Sequence, residues 1–133
     1  MKSDEEIKAE LKRLTDGLLF MSESDYPFEI FYREGNAEIS TKSLTELSGE
    51  PPDTPVEVMS LEDFLGASVS EPAWKGEEQL AIAKRYQALL RLLKENLEGA
   101  QVYRVGRINI AVYIIGRSRA GNWLGITTRV VET

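Results

Sequence analysis

Apolar residues recur at helical spacing in two stretches of the chain. Near the N-terminus, Ser3 and Glu6 form a capping-box pattern, and the apolar residues that follow predict a helix over about residues 4–15. A longer helix is predicted over about residues 77–97. Its apolar stripe consists of Ile82, Tyr86, Leu89, Leu90, Leu93 and Leu97.

Shorter elements are predicted between these two helices. Residues 28–32 are rich in strand formers, and residues 56–59 have the pattern of a second short strand. Ser60 then stands at the N-cap position of a short helix. Residues 40–55 combine Gly with three Pro residues, so we expect this part of the chain to be the least regular.

The C-terminal third has the two-residue period of β-strands. Residues 102–105 and 108–115 predict a hairpin joined at Gly106-Arg107, and residues 123–131 predict a further strand. The segment 108–115 is apolar on both faces, which indicates a central strand that is covered on both sides.

Together these elements predict an α+β fold. We expect a three-layer α/β/α sandwich, in which helices cover both faces of a small, mostly antiparallel sheet. The chain has 133 residues, 42% of them hydrophobic, and it shows neither an internal repeat nor a linker. A single domain over residues 1–133 is therefore expected.

The chain contains no Cys and no His. The absence of Cys excludes disulfides, thiolate catalysis and Cys-ligated metal sites. The absence of His excludes a Ser-His-Asp triad and His-ligated metals. An enzyme of this sequence would depend on carboxylates, Lys, Tyr or backbone groups alone.

Charge is distributed unevenly along the chain. Residues 1–80 hold 19 of the 22 acidic residues and 7 of the 16 basic residues. An acidic protein is poorly suited to bind nucleic acid directly, because such binding needs cations that displace phosphate counterions. The acidic portion suits a basic protein partner, or it serves only to keep the surface solvated.

The chain has no pattern typical of targeting or membrane insertion. Its first residues are polar, and its longest apolar stretch, residues 110–115, is too short to span a bilayer. We therefore expect a soluble, cytoplasmic protein that makes no membrane contact.

Three positions have side chains suited to binding. Glu23 and Asp25 lie in a polar segment, where carboxylates bind a cation, act as acid and base, or pair with a partner's Arg. A solvated turn explains the same residues. Trp74 follows Pro72 in a polar loop, and it either fills a gap beneath the loop or is an exposed interface anchor. Thr133 is the last residue of the chain. Its carboxylate and hydroxyl form a pair of hard oxygen donors for Mg²⁺ or Ca²⁺, whereas chain ends are often simply frayed.

Several stretches together resemble the nuclease A inhibitor family, whose members inhibit a Mg²⁺-dependent, sugar-non-specific DNA/RNA endonuclease. The resemblance extends over nearly the whole chain and weakens in residues 35–76. The stretches that carry it are DGLLFMSES (16–24), YPFE (26–29), QVYR (101–104), VYIIG (112–116), AGN (120–122), GI (125–126) and VVET (130–133).

The resemblance implies a fold similar to the pathogenesis-related-1-like fold, and a mechanism. It implies that the chain occupies the nuclease active site in a 1:1 complex and that Thr133 chelates the catalytic Mg²⁺ of the nuclease. It implies that Glu23 pairs with a nuclease Arg and that Trp74 is an interface anchor. The surroundings of Trp74 depart from the family pattern, because Lys75 and Gly76 stand where the family is more acidic.

The sequence thus predicts a nuclease inhibitor that is no enzyme, is monomeric when free and has no cofactor of its own. One alternative is a binding module of the same fold for another basic protein. A second alternative is a carboxylate-based hydrolase that uses Glu23 and Asp25.

Overall fold

The computed structural model describes residues 3–20, 26–35, 38–69 and 76–131. Helices and strands alternate irregularly in these ranges, as expected for an α+β chain. In chain order they are α1 (Asp4–Thr15), β1 (Leu19–Phe20), β2 (Tyr26–Pro27), β3 (Glu29–Arg33), α2 (Thr41–Ser48), β4 (Val56–Met59), α3 (Leu61–Val69), α4 (Glu77–Asn96), β5 (Glu98–Val105), β6 (Asn109–Arg117) and β7 (Trp123–Val131).

Five strands form one sheet in the order β3-β7-β6-β5-β4, and every neighbouring pair is antiparallel. The predicted hairpin is confirmed as β5 and β6, and β6 lies at the centre of the sheet. The two short strands β1 and β2 form a separate antiparallel pair. Helices together with an antiparallel sheet confirm the predicted α+β class.

Apolar side chains cover the sheet on both faces. On one face, the side chains of Val112 and Ile114 join a cluster that includes buried residues of α1, α3 and α4. On the other face, Tyr113 and Ile115 of the same strand join a smaller cluster with Leu44 of α2. The alternation along β6 thus buries successive side chains in two different clusters, as predicted for a strand covered on both sides.

Helix α1 begins and ends at defined caps. Glu6 N–H donates to Ser3 Oγ and Ser3 N–H donates to Glu6 Oε1, both at 3.2 Å, which confirms the predicted capping box. At the other end, Arg85 of α4 donates to the backbone carbonyls of Leu14 at 2.7 Å and Asp16 at 2.6 Å. The guanidinium therefore satisfies carbonyl groups at the end of the helix.

Helix α4 confirms the predicted long helix, with one correction to its apolar stripe. Tyr86, Leu89 and Leu93 are buried as predicted, but Ile82 is 45% exposed. The helix packs against α1 and α3. Its buried side chains include Ala83 and Tyr86, so Ile82, one position before Ala83, lies outside the buried face. Within the described ranges, no helix combines the length and the apolar character that crossing a membrane requires.

Helix α2 contradicts, for residues 41–48, the expectation that residues 40–55 would be the least regular, whereas residues 49–55 contain neither helix nor strand. Ser43 N–H donates to Ser40 Oγ at 3.2 Å, and Gly49 ends the helix with a φ of 75°. Buried Leu44 attaches the helix to the sheet. Ser and Thr residues give this segment weak helix propensity, so tertiary packing of Leu44 decides its conformation.

Asn122 connects the beginning of α1 to the beginning of β7. Its Nδ2 donates to Asp4 Oδ2 at 2.8 Å and to the Tyr32 hydroxyl at 3.1 Å. Its Oδ1 accepts from Gly35 N–H at 2.9 Å. One amide group thereby joins a helix, an edge strand and the residue that precedes β7.

Candidate functional site

The register of the sheet distinguishes the two ends of β7. At one end, Trp123 pairs with Arg117 of β6 and with Arg33 of β3. At the other end, Val131 pairs with Asn109 of β6. We call these the Trp123 end and the Val131 end of the sheet. Strand pairing fixes the backbone up to Val131, two residues before Thr133, and Thr133 itself lies outside the described residues.

Residues Tyr26 and Pro27 are attached to β7 near the Val131 end. The Thr128 hydroxyl lies 2.9 Å from the carbonyl oxygen of Pro27 and 3.4 Å from that of Tyr26. Because a hydroxyl has one proton, the two carbonyl oxygens share that proton in a bifurcated hydrogen bond. Residues 26 and 27, which follow the segment that contains Glu23, are therefore held at a fixed point on β7.

The residues that precede the segment containing Glu23 are held next to Tyr26 and Pro27. Phe20 of β1 pairs with Tyr26 of β2, and Leu19 pairs with Pro27. Phe20 and Tyr26, which flank residues 21–25, are therefore close to each other. Glu23 and Asp25 belong to these five residues, and both lie outside the described part of the chain.

The first turn of α4 closely follows the third predicted position, Trp74, in the chain. Gly76 precedes the helix, and its N–H donates to Gln79 Oε1 at 3.1 Å. Glu77 and Glu78 follow in the first turn, where carboxylates interact favourably with the helix dipole. Trp74, two residues before Gly76, is outside the residues that the structure describes.

The direction of α4 relates this third position to the other two. The helix ends near the Trp123 end of the sheet, because Glu98, which follows it closely, pairs with Arg117. Ten residues after Gly76, the Tyr86 ring meets the ring of Phe28, next to Pro27. The beginning of α4 therefore points away from the Trp123 end, so the described neighbours of all three predicted positions face the Val131 end.

A cavity of about 400 Å³ adjoins the Val131 end on the face that α2 covers. Its lining includes Tyr26, Thr127 and Arg129, together with the half-exposed Leu47 of α2. Tyr113 also lines it, and burial raises the pKa of this phenol, an effect that the nearby positive charge of Arg129 partly offsets. Side chains therefore do not fill this corner completely.

Metal-binding chemistry has few candidates among the described side chains. In residues 3–20, 26–35, 38–69 and 76–131, no three acidic side chains come together as a group that would hold a metal ion. The oxygen donors that the sequence predicts at Thr133 lie beyond those ranges, so the prediction for Thr133 stays a prediction.

Sequence reasoning missed Thr128. In the alternating pattern of residues 123–131, Thr128 shares a face with Leu124, Ile126 and Val130, and nothing in that pattern indicates a polar contact to a segment about a hundred residues away. It is buried, with 6% of its surface exposed. Only the folded chain brings its hydroxyl to residues 26 and 27.

Comparison with known protein families gives one match that covers nearly the whole chain. A family model described as NuiA, nuclease A inhibitor-like protein, matches residues 5–133. The matched region includes every strand of the sheet and all three predicted site positions. Among curated proteins, none matches this chain at a significant level.

Proposed function

The chain belongs to the nuclease A inhibitor-like family, and we propose that it inhibits a Mg²⁺-dependent, sugar-non-specific endonuclease by occupying the active site in a 1:1 complex. The observation that carries this proposal is the family match over residues 5–133, which extends through β7 to the end of the chain. The chain needs no catalytic groups for this activity, and its lack of His and Cys agrees with that.

Electrostatics support a nuclease as the partner. A nuclease that cleaves DNA and RNA has a cationic cleft for the phosphate backbone. The acidic portion of this chain, residues 1–80, would speed the encounter with such a cleft. Glu77 and Glu78, both exposed in the first turn of α4, contribute to that negative potential.

Thr133 would provide the contact to the metal. Its carboxylate and hydroxyl are hard oxygen donors of the kind that Mg²⁺ prefers, and they suit the open coordination positions of a nuclease metal. The ion belongs to the nuclease, and the chain itself has no cofactor. Because β7 is held in the sheet as far as Val131, the strand that leads to Thr133 needs no ordering on binding.

Glu23 and Trp74 would provide the remaining contacts. Glu23 pairs with a nuclease Arg, and such a charge-assisted hydrogen bond is stronger than one between neutral groups. Trp74 packs against the nuclease as an apolar anchor. The described residues next to both positions face the Val131 end, which supports a single continuous contact surface.

The proposal includes the architecture and setting of the protein. We infer a single domain over residues 1–133, built as a three-layer α/β/α sandwich similar to the pathogenesis-related-1-like fold. Apolar clusters with helices on both faces of the sheet support this arrangement. The free protein would be a cytoplasmic monomer.

One titration tests the proposed function. Increasing amounts of the protein, with its own C-terminus, are added to a purified Mg²⁺-dependent, sugar-non-specific endonuclease, and DNA cleavage is measured. Activity should fall linearly and reach zero near one equivalent. Full nuclease activity at several equivalents would contradict the proposal and favour a binding module for another basic protein. Turnover of a substrate by the protein alone would favour the hydrolase alternative.

A further inference from the structure

The backbone pairing of β7 with β3 stops one residue before Thr128. The buried hydroxyl of Thr128 then provides a hydrogen bond between β7 and the residues that precede β3. The last register pair of these two strands is Glu29 with Thr127. At the next residue of β7, Thr128 Oγ1 contacts the carbonyl oxygens of Pro27 at 2.9 Å and Tyr26 at 3.4 Å. A side chain thus fastens residues 26 and 27 to the strand.

The position of Thr128 in the chain gives this bond its significance. Tyr26 is three residues after Glu23, and Thr128 is five residues before Thr133. One hydrogen bond therefore joins the two segments that carry these contact residues, which lie more than a hundred residues apart in sequence. Thr128 is only 6% exposed, so water does not readily replace the bond.

We propose that Thr128 is a positioning residue for inhibition, which fixes residues 26 and 27, just after Glu23 in the chain, relative to the end of β7. This inference rests on the proposed function. With the bond in place, the described residues that follow Glu23 and the strand that leads to Thr133 are already held together, which lowers the cost of presenting both contacts to the nuclease. Without the bond, residues 26 and 27 keep their pairing with β1 but lose their hydrogen bond to the side chain of Thr128.

The neighbouring residue offers a matched control. Thr127 also carries a hydroxyl that donates to a backbone carbonyl, that of Val112 at 2.8 Å. That bond lies within the sheet, because Val112 belongs to β6, and it does not involve residues 26 and 27. Thr127→Val and Thr128→Val therefore remove the same chemical group from adjacent positions, with different consequences for the contact surface.

The first experiment measures the inhibition constant of both variants in the full chain with its native C-terminus. We expect Thr128→Val to inhibit at least about tenfold more weakly and Thr127→Val to stay within about twofold of the parent. Thr128→Ser keeps the hydroxyl and should inhibit like the parent. If Thr128→Val inhibits as well as the parent, or Thr128→Ser is as weak as Thr128→Val, the inference is wrong. Should the Val variant fail to fold, Thr128→Ser and Thr128→Ala replace this comparison.

A double-mutant cycle separates positioning from a general loss of stability. If Thr128 acts through Glu23, adding Thr128→Val to Glu23→Ala should weaken inhibition by no more than about twofold further. The full tenfold loss in that background would show that Thr128 acts independently of Glu23, and it would overturn the inference. Failure of the parent chain to inhibit the nuclease at all would instead reject the proposed function, and this inference with it.

Discussion

The ring of Phe28 meets the ring of Tyr86 edge to face, with centroids 6.2 Å apart and an interplanar angle of 71°. Phe28 lies between β2 and β3, and Tyr86 lies in the middle of α4. The contact therefore holds the longest helix against the part of the chain that follows the Glu23 segment. Aromatic pairs with this geometry contribute beyond the apolar area that they bury.

Burial of Tyr86 makes the stability of the fold sensitive to alkaline pH. Desolvation raises the pKa of Tyr86 from 10.0 to about 12. Between these values the unfolded chain loses the phenolic proton while the folded chain keeps it, so the free energy of unfolding falls as pH rises. We expect urea denaturation to show this fall between about pH 10 and pH 12, and Tyr86→Phe to make it smaller. An equal fall in both proteins would contradict the assignment to Tyr86.

Gly125 tolerates no side chain, because the neighbouring strand is too close. A Cβ atom at this position would lie 1.9 Å from the carbonyl oxygen of Ile114. Gly125→Ala should therefore lower the free energy of unfolding by about 3 kcal/mol, as overpacking does. Gly121 is the control: its φ is 86° but the space around it is open, so Gly121→Ala should cost only about 1 kcal/mol. Chemical denaturation of both variants measures the difference.

Glu23→Ala should weaken the complex by about 2 kcal/mol or more, because truncation leaves a desolvated nuclease Arg without its partner. The loss should appear mainly in the dissociation rate, measured by surface plasmon resonance. Asp25→Ala is the control, since it removes a carboxylate from the same segment. Parent-like binding by Glu23→Ala with weak binding by Asp25→Ala would assign the contact to Asp25 instead.

Trp74→Ala should reduce affinity for the nuclease and leave the free energy of unfolding within about 1 kcal/mol of the parent. A buried Trp behaves differently, because its truncation costs about 3–5 kcal/mol of stability. Measuring thermal unfolding beside inhibition therefore decides between an exposed anchor and a side chain that fills a gap beneath its loop.

Two changes at the C-terminus test chelation by Thr133. Thr133→Ala keeps the carboxylate and loses the hydroxyl, whereas one added residue replaces the carboxylate with an amide. Both should weaken inhibition without lowering the melting temperature, and the extension should have the larger effect, because it removes the anionic donor. If an extended or C-terminally tagged protein inhibits as well as the parent, the metal is not bound in this way.

Sequence patterns predicted those elements in which local preference and packing agree. The two faces of β6 follow from its alternating apolar residues, and α1 follows from its capping box and helical period. Helix α2 escaped prediction because its Ser and Thr residues have weak helix propensity, so the burial of Leu44 determines its structure. The β1–β2 pair is two residues long on each side, which is too short for a periodic pattern.

The candidate site was predictable only through resemblance. Residue types alone left Glu23, Trp74 and Thr133 with ordinary structural explanations, and their place in an interface stays a prediction that rests on the resemblance. The hydrogen bond between Thr128 and Pro27 could not be predicted from the sequence. The alternating pattern of a strand indicates which face of the sheet a Thr lies on, but it does not indicate a partner that is distant in sequence.

The hydrogen bond from Asn122 to Asp4 keeps the beginning of α1 away from the Val131 end of the sheet. A molecule attached ahead of α1 would therefore be remote from the proposed contact surface. The bond holds the beginning of α1 beside the Trp123 end of β7, while Val131 lies at the other end of a nine-residue strand, about 26 Å away. A resin, fluorophore or carrier protein joined ahead of α1 would be a strand's length from the Val131 end. Linked in that orientation, a chain with the proposed function would capture the nuclease from solution as an immobilised affinity ligand, and removing Mg²⁺ with a chelator would weaken the contact proposed for Thr133.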